Sequence, residues 1–303
     1  MSDRGEERRR WGPEQRLEFI EFRLFWDGGI RRSDLINRFD ISTPQASTDL
    51  ANYRELAPEN MEYDATLKRY VATAAFAPRF LKPNADRYLV QLKAIADGVI
   101  RLDETLIIAP PNVDALPIPH RRVEPRILKV LLETIRNRCG LSVHYHSMNP
   151  KRPDAQWRSI TPHAFANDGL RWHVRAFCHE ERRFKDFILS RFLDIGQMEP
   201  PEAKAEDDAE WFSFFDVILA PNPKLSESQQ RMIAFDYDMP DGRLTLPVRC
   251  ALLYYFKKRL RLDVASTVDA PKETPVIVVN KNEFEQATKR LEHVGTSPQT
   301  STR

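Results

Sequence analysis

Four side chains at helical spacing, Pro44, Gln45, Thr48 and Asn52, with Thr43 and Ser47 at their edges, make a short, polar, uncharged face. Amide and hydroxyl groups of this kind hydrogen-bond base edges in a DNA major groove. Lys68 and Arg69 follow in a short hairpin and suit phosphate contacts. A second group lies between residues 141 and 191. Alternation along Leu170–Cys178 puts Arg171, His173 and Arg175 on one strand face, where they repel one another unless anions or carboxylates offset them. Tyr145 and Ser147 share a face of an earlier strand, and Arg158 and His163 flank the next; Arg and Tyr together suit a ligand made of phosphate and base. Each group has a plainer alternative. A wet helical hairpin carries the same polar face, a solvated basic surface the same cationic row, and Tyr145 and Trp172 are also core candidates.

The elements that must position the first group are legible in residues 31–56. Ser33 is a candidate N-cap for a helix with Leu35, Ile36 and Phe39 inward, Asp40-Ile41 forms a turn, and Ser42 with Gln45 has capping-box form. Pro44 is tolerated in a first helical turn, and Ala46, Leu50 and Tyr53 fall on the inner stripe of the second helix. Upstream, Pro13–Trp26 is an amphipathic helix ended by Gly28-Gly29; downstream, Met61–Val71 reads as a hairpin with its apex near Asp64–Thr66. Helix, helix-turn-helix and hairpin in this order make a winged helix, a DNA-binding layout.

Composition narrows the class. The chain has 303 residues, 42% hydrophobic and 30% charged, with net charge +2, enough for two or three domains. It shows no apolar run long enough to span a membrane and no signal-peptide core after Arg8-Arg9-Arg10. Cys139, Cys178 and Cys250 have no metal-ligand spacing, so a cytoplasmic protein without cofactor or metal is expected. Charge is unevenly spread. Residues 136–191 hold 11 Lys/Arg against 5 Asp/Glu, a net of +6, and 5 of the 7 histidines; residues 199–241 hold 3 against 11, a net of −8. The basic segment is suited to an anion. The acidic run Glu199–Asp208 reads as a solvated linker and domain boundary.

Other elements follow from period and punctuation. A helix is expected over 85–100, with Leu89, Leu92, Ile95 and Val99 inward, then a proline-rich connector to Pro125 and a helix over 126–138 stopped by Gly140. Strands are expected over 141–147, 156–161, 170–178 and 184–195, a series suggesting a small closed barrel because closure removes exposed edges. Beyond the acidic run come a strand over 211–219, a helix over 226–232, a strand over 232–237, a hairpin turn at Pro240-Asp241-Gly242 into a strand over 243–248, a helix over 249–261, a strand over 276–279 and a helix over 283–292. This order implies a small α+β domain. The tail is expected to be disordered.

The middle segment resembles a WYL domain, an Sm-like small β-barrel. The triplet Trp172-His173-Val174 stands where that family carries Trp-Tyr-Leu, and His144-Tyr145-His146-Ser147, Arg158–His163 and Phe187–Phe192 also look family-like. The full order is similar to bacterial transcription regulators of phage-defence islands, the BrxR/CapW type. The resemblance implies a multidomain α+β chain. Its parts would be a winged helix-turn-helix domain (1–80), a helical and proline-rich connector (81–125), a WYL ligand-sensing domain (126–200), a small α+β, WCX-like dimerisation extension (201–295) and a disordered tail (296–303). It further implies a homodimeric repressor that binds an inverted repeat near a defence-operon promoter and is released when the WYL domain takes a nucleic-acid-derived ligand, a nucleotide or oligonucleotide. By that carry-over the ligand residues are Tyr145, Ser147, Arg158, His163, Arg171, His173, Arg175 and Arg191. Leu252, Tyr255, Phe256, Arg259, Leu89, Leu92 and Ile95 are dimer-interface candidates and equally core candidates.

Three other readings stay in play. His144, His146 and His163 are possible metal ligands or general bases, but no companion cysteine, carboxylate pair or glycine-rich phosphate loop accompanies them, so no catalytic residue is expected. An Sm-like protein that binds RNA away from any promoter, and an activator in place of a repressor, fit the same residues. Dimerisation has its own rationale, since one recognition helix reads only a few base pairs.

Overall fold

The computed structural model describes residues 12–119, 121–148, 150, 153–262 and 270–294, with side chains to Lys289; Arg8-Arg9-Arg10 and the expected disordered tail lie outside the described residues. The chain divides into two units, Met1–Pro119 and His120–Arg303.

The first unit begins with α1 (Pro13–Asp27), ended by Gly28 at φ 68°. β1 (Gly29–Ile30) follows, then α2 (Arg32–Phe39), α3 (Thr43–Leu56), β2 (Met61–Asp64), β3 (Arg69–Ala72) and α4 (Ala85–Ala96). The three strands form an antiparallel sheet in the order β1-β3-β2, with Gly29 opposite Val71 and Met61 opposite Ala72. Gly29 is required there, because a Cβ would sit 2.6 Å from the Tyr70 carbonyl oxygen. Phe19, Ile20, Leu24, Ile30, Leu35, Ala46, Leu50 and Tyr53 make the core. The buried Glu21 carboxylate accepts the backbone N–H groups of Arg79, Phe80 and Leu81 and the Tyr53 hydroxyl, so α1 anchors the chain that leaves the wing. Ser33 is not the cap expected of it. α2 starts at Arg32, and Asp34 accepts from the Arg31 N–H at 2.8 Å, which places the cap two residues earlier, at Arg31. α4 ends before residue 100, and Leu89 and Val99 are exposed while Leu92 is buried.

In the second unit, α5 (Pro125–Asn137) packs on a sheet of β4 (Gly140–Tyr145), β5 (Gln156–Asn167), β6 (Trp172–Cys178), β7 (Arg183–Ile188) and β8 (Phe192–Glu199). Strand order is β7-β6-β5-β4-β8 and every pairing is antiparallel. The closed barrel expected from the sequence is not found: β7 and β8 share no ladder and are joined by a 3₁₀ turn, Leu189–Arg191, that splits the single strand read over 184–195. Helix α5 offers the reason, since Ile127 and Leu131 complete the core of Leu141, Val143, Ile160, Val174, Ala176 and Phe187 and cover an apolar face that closure would otherwise hide. β5 carries a bulge at His163: Pro162 opposes Ala176 and Ala164 opposes Arg175. Trp172, expected in the core, is 53% exposed because it sits at the end of the β5–β6 ladder, beyond the core cluster.

The chain then forms a short helix α6 (Ala209–Phe212), β9 (Phe214–Pro221), α7 (Glu227–Asp236), β10 (Leu244–Arg249), α8 (Leu253–Arg259), β11 (Val276–Val278) and α9 (Lys281–Val294). The sheet order is β10-β9-β11, antiparallel, over a core of Val217, Leu219, Met239, Leu253 and Phe284. Two expectations fail here. Residues 232–236 are helix, not strand: Ser226 and Gln229 cap α7 in a reciprocal box, and the helix runs on to Asp236, with Tyr237 as its C-cap. Pro240-Asp241-Gly242 therefore joins α7 to β10, whose ladder partner is β9.

Candidate nucleic-acid interface and ligand face

Helix α3 is capped by Ser42, whose hydroxyl accepts from the Gln45 N–H at 3.3 Å. The side chain of Gln45 does not return to complete the box. It donates through Nε2 to Asp49 Oδ1 at 3.0 Å, and Asp49 also accepts Arg16 Nε at 2.7 Å and Nη2 at 3.1 Å from α1. Asp49 therefore holds Gln45 in one orientation and ties the recognition helix to α1. Sequence reasoning missed this residue; the signal was its position four after Gln45, a helix-surface neighbour spacing. Thr43, Pro44, Thr48 and Asn52 are exposed, and Gln45 and Ser47 half-buried. The Ser47 and Thr48 hydroxyls donate to the carbonyls of Thr43 and Pro44, at 2.9 and 3.0 Å, so their oxygens face outward as acceptors. In the hairpin, Asp64 Oδ1 accepts from the N–H groups of Thr66 and Leu67, and Lys68 stands exposed at φ 50°. Arg69 instead lies against Gly29. The face is thus polar along α3 and cationic at the wing tip, a layout able to pair with base edges and phosphate.

The eight residues grouped as a ligand set separate into three places. At the mouth of the sheet core, Tyr145 is buried with its ring edge-on to Phe187 and Phe192, and its hydroxyl accepts the Ile188 N–H at 2.9 Å. Burial pushes the Tyr145 phenol up, against the Ile188 N–H and the nearby Arg191. The Arg158 guanidinium lies 5.7 Å from the Tyr145 ring centroid, and its Nε is buried without a hydrogen-bond partner among the described residues. Ser147 is half-buried just past β4.

Arg171 and His173 form a second group on Asp168, whose Oδ2 takes Arg171 Nε and His173 Nε2, each at 2.9 Å. Burial raises the Asp168 carboxyl, but hydrogen bonds from His173, the Leu170 N–H and Arg171 outweigh it and hold it at about 2. The third group is deeper. Arg175 grips Asp208 in fork geometry, Nε to Oδ2 at 2.7 Å and Nη2 to Oδ1 at 3.0 Å, and reaches Glu210 at 2.8 Å and Asp186 at 3.4 Å. His163 meets the same Asp208 at 2.9 Å. Burial opposes the Arg175 charge, yet Asp208, Asp186 and Glu210 drive its pKa upward. The row Arg171-His173-Arg175 is thus neutralised by carboxylates of the same chain. Asp208 overturns the reading of residues 199–208 as a solvated linker, because it is 1% exposed and caps α6 through the Trp211 N–H. Tyr255 of α8 joins the network by donating to Asp186 at 3.0 Å. Composition carried no signal for these pairings, since Asp208 stands 33 residues from Arg175.

His144 stacks on Trp157 at 5.2 Å and His146 meets the Ser147 carbonyl at 3.0 Å, so the histidines of the catalytic reading have separate partners. No cluster of three His, Cys, Asp or Glu groups placed to hold a metal, and no helix long and apolar enough to cross a membrane, occurs among the described residues.

A winged helix followed by a WYL domain and a small α+β domain defines the class, and comparison with known proteins agrees. Residues 12–94 match the BrxR transcriptional regulator winged helix-turn-helix domain, residues 126–196 the WYL domain, and residues 214–284 the BrxR transcriptional regulator C-terminal dimerization domain. A Stenotrophomonas maltophilia protein described as DNA-binding transcriptional repressor CapW is 40% identical over 289 residues, 94% of this chain and 95% of that one. Proteins of the same description from Escherichia coli (strain KTE188) and Pseudomonas aeruginosa are 38% and 36% identical, each over 93% of this chain and 94% of theirs. The chain belongs to the BrxR/CapW family.

Proposed function

We propose that this protein is a homodimeric, DNA-binding transcriptional repressor of a phage-defence operon, acting in the cytoplasm and carrying out no catalysis. DNA reading is assigned to residues 1–80, with Thr43, Pro44, Gln45, Ser47, Thr48 and Asn52 on base edges and Lys68 and Arg69 on phosphates of an inverted repeat. Residues 201–295 supply the dimer contact, and residues 126–200 sense a nucleic-acid-derived effector. The observation that carries the reading is near-full-length identity to repressors of the same three-domain order. The tethered, outward-facing polar row on α3 supports it physically.

For the effector, Tyr145, Ser147, Arg158 and Arg191 are the favoured contacts, because the Arg158 guanidinium lies beside an aromatic ring and its buried Nε, 4.0 Å from Glu180, makes no hydrogen bond among the described residues. His163 and Arg175 act through Asp208 as supports. A ligand that prefers the dimer geometry poorly matched to the operator shifts the population off DNA. The test is a gel-shift titration on the duplex upstream of the protein's own gene, at several salt concentrations, with light scattering for the oligomer. One tight site with steep salt dependence, bound by a dimer, is the expected result. A monomer indifferent to that duplex overturns the reading.

A further inference from the structure

A cavity of about 310 Å³ opens between the β5–β6 turn and α8, lined by Asp168, Leu170, Arg171, Tyr254, Tyr255, Lys258 and Arg259. It is separate from the Tyr145–Arg158 mouth of the sheet core, with which it shares no lining residue. Three of its lining side chains are cationic. The one carboxylate among them, Asp168, is engaged by Arg171 and His173, so the cavity wall carries an excess of positive charge. The turn is rigid: Asp168 Oδ1 accepts from the N–H groups of Leu170 and Arg171, at 2.8 and 2.9 Å. Arg259 lies so close over Gly169 (φ 87°) that a Cβ there would come within 2.8 Å of its Nε.

The aromatic wall is ordered on one side and open on the other. Tyr255 rests on the His173 ring, centroids 4.6 Å apart, and its hydroxyl is spent on Asp186. Tyr254 meets Tyr255 edge-on, has the Lys258 ammonium 6.0 Å from its ring centroid and is still 39% exposed, so part of its ring surface faces the cavity beside a cation. A phosphate suits the cations, with Arg171 and Arg259 able to offer forked donors and Lys258 a point charge. A planar ring suits Tyr254, and the volume lies at the low end of small-molecule sites.

We propose that this cavity binds a mononucleotide-sized phosphate ester, its phosphate among Arg171, Lys258 and Arg259 and its ring on Tyr254. Such a ligand joins the turn of the WYL sheet to α8 of the dimerisation domain. The site is independent of operator binding and distinct from the effector contacts proposed above.

The test is calorimetric titration of the full-length protein with adenosine 5′-monophosphate, adenosine and inorganic phosphate. The nucleotide is expected to bind more tightly than either fragment. Arg259→Ala and Lys258→Ala should each weaken it by roughly tenfold, the scale of one charge-assisted hydrogen bond at a half-open site. Lys129→Ala, an exposed change on α5, should leave binding unaltered. The proposal is overturned if the nucleotide does not bind at about millimolar concentration. It is equally overturned if Arg259→Ala and Lys258→Ala, folded by circular dichroism, bind it as the parent does. Affinity lost in Arg158→Ala but kept in Arg259→Ala moves the nucleotide to the sheet core and likewise refutes it. Gel shifts on the same variants report operator binding separately.

Discussion

Replacing Asp208 by Asn tests the buried ion cluster that ties the WYL sheet to the chain leading into the last domain. Asp208 Oδ2 accepts from Arg175 and His163, and Oδ1 from Arg175 and the Trp211 N–H. Burial raises the Asp208 carboxyl, but His163 and Arg175 outweigh it and hold it at about 2 against an ordinary 3.8. That depression corresponds to roughly 2–3 kcal/mol of stability at neutral pH. The sign follows from a folded-state pKa below the unfolded one: the contribution is complete above about pH 5 and is lost as pH falls through 4 toward 2. Asn keeps one acceptor but turns an amide toward donors and leaves Arg175 short of a counter-charge, so the expected loss is about 2–4 kcal/mol. For a unit of this size that lowers Tm by roughly 5–15 °C. Scanning calorimetry of the full chain at pH 7 and near pH 3 is the assay, with exposed Glu206→Gln as the control. The gap between wild type and Asp208→Asn should be largest at pH 7 and fall to roughly half near pH 3. A variant within about 0.5 kcal/mol of wild type at pH 7, or a gap unchanged by acid, refutes the reasoning.

Glu21→Gln sets an amide against the backbone donors of Arg79, Phe80 and Leu81, and chemical denaturation should register a loss of about 2–4 kcal/mol in the first unit. Gly29→Ala forces a Cβ to 2.6 Å from the Tyr70 oxygen, so thermal melts should show a loss on the order of 1–3 kcal/mol; an unchanged melt would mean β1 yields freely. Asn52→Ala should weaken operator binding by about 1–3 kcal/mol in gel shifts without changing the melt, because the side chain is exposed; unaltered affinity would move base reading off this face.

The parts of the molecule written in short-range signals were legible in the sequence. Ser42 and the stripe Ala46, Leu50 and Tyr53 mark α3, and the Met61–Val71 hairpin follows from alternation around Asp64. Features that depend on distant partners were not. Residues 232–237 look β-prone alone, yet a cap at Ser226 commits them as far as Asp236 to helix. An open or closed sheet differs only in whether β7 and β8 meet, and nothing local to either strand encodes that. The site divides in the same way. The repulsion within Arg171-His173-Arg175 was visible and required anionic partners, but two of those partners, Asp168 and Asp186, sit inside the basic segment itself, and the other two, Asp208 and Glu210, come from the acidic stretch that followed it.

The extra residue at His163 makes β5 change sides partway along. Before it, Ile160 and Pro162 oppose Cys178 and Ala176 on the inward parity; after it, Phe165 opposes Val174 and the inward parity is odd. Exchanging His163 for another side chain leaves that switch intact. Deleting it would keep one half of the strand seated and rotate the other half outward, carrying either Ile160 or Phe165 into water. The register of this stretch should therefore survive replacement of His163, at the cost of its Asp208 bond, but not shortening; for the switch itself the guarded property is chain length.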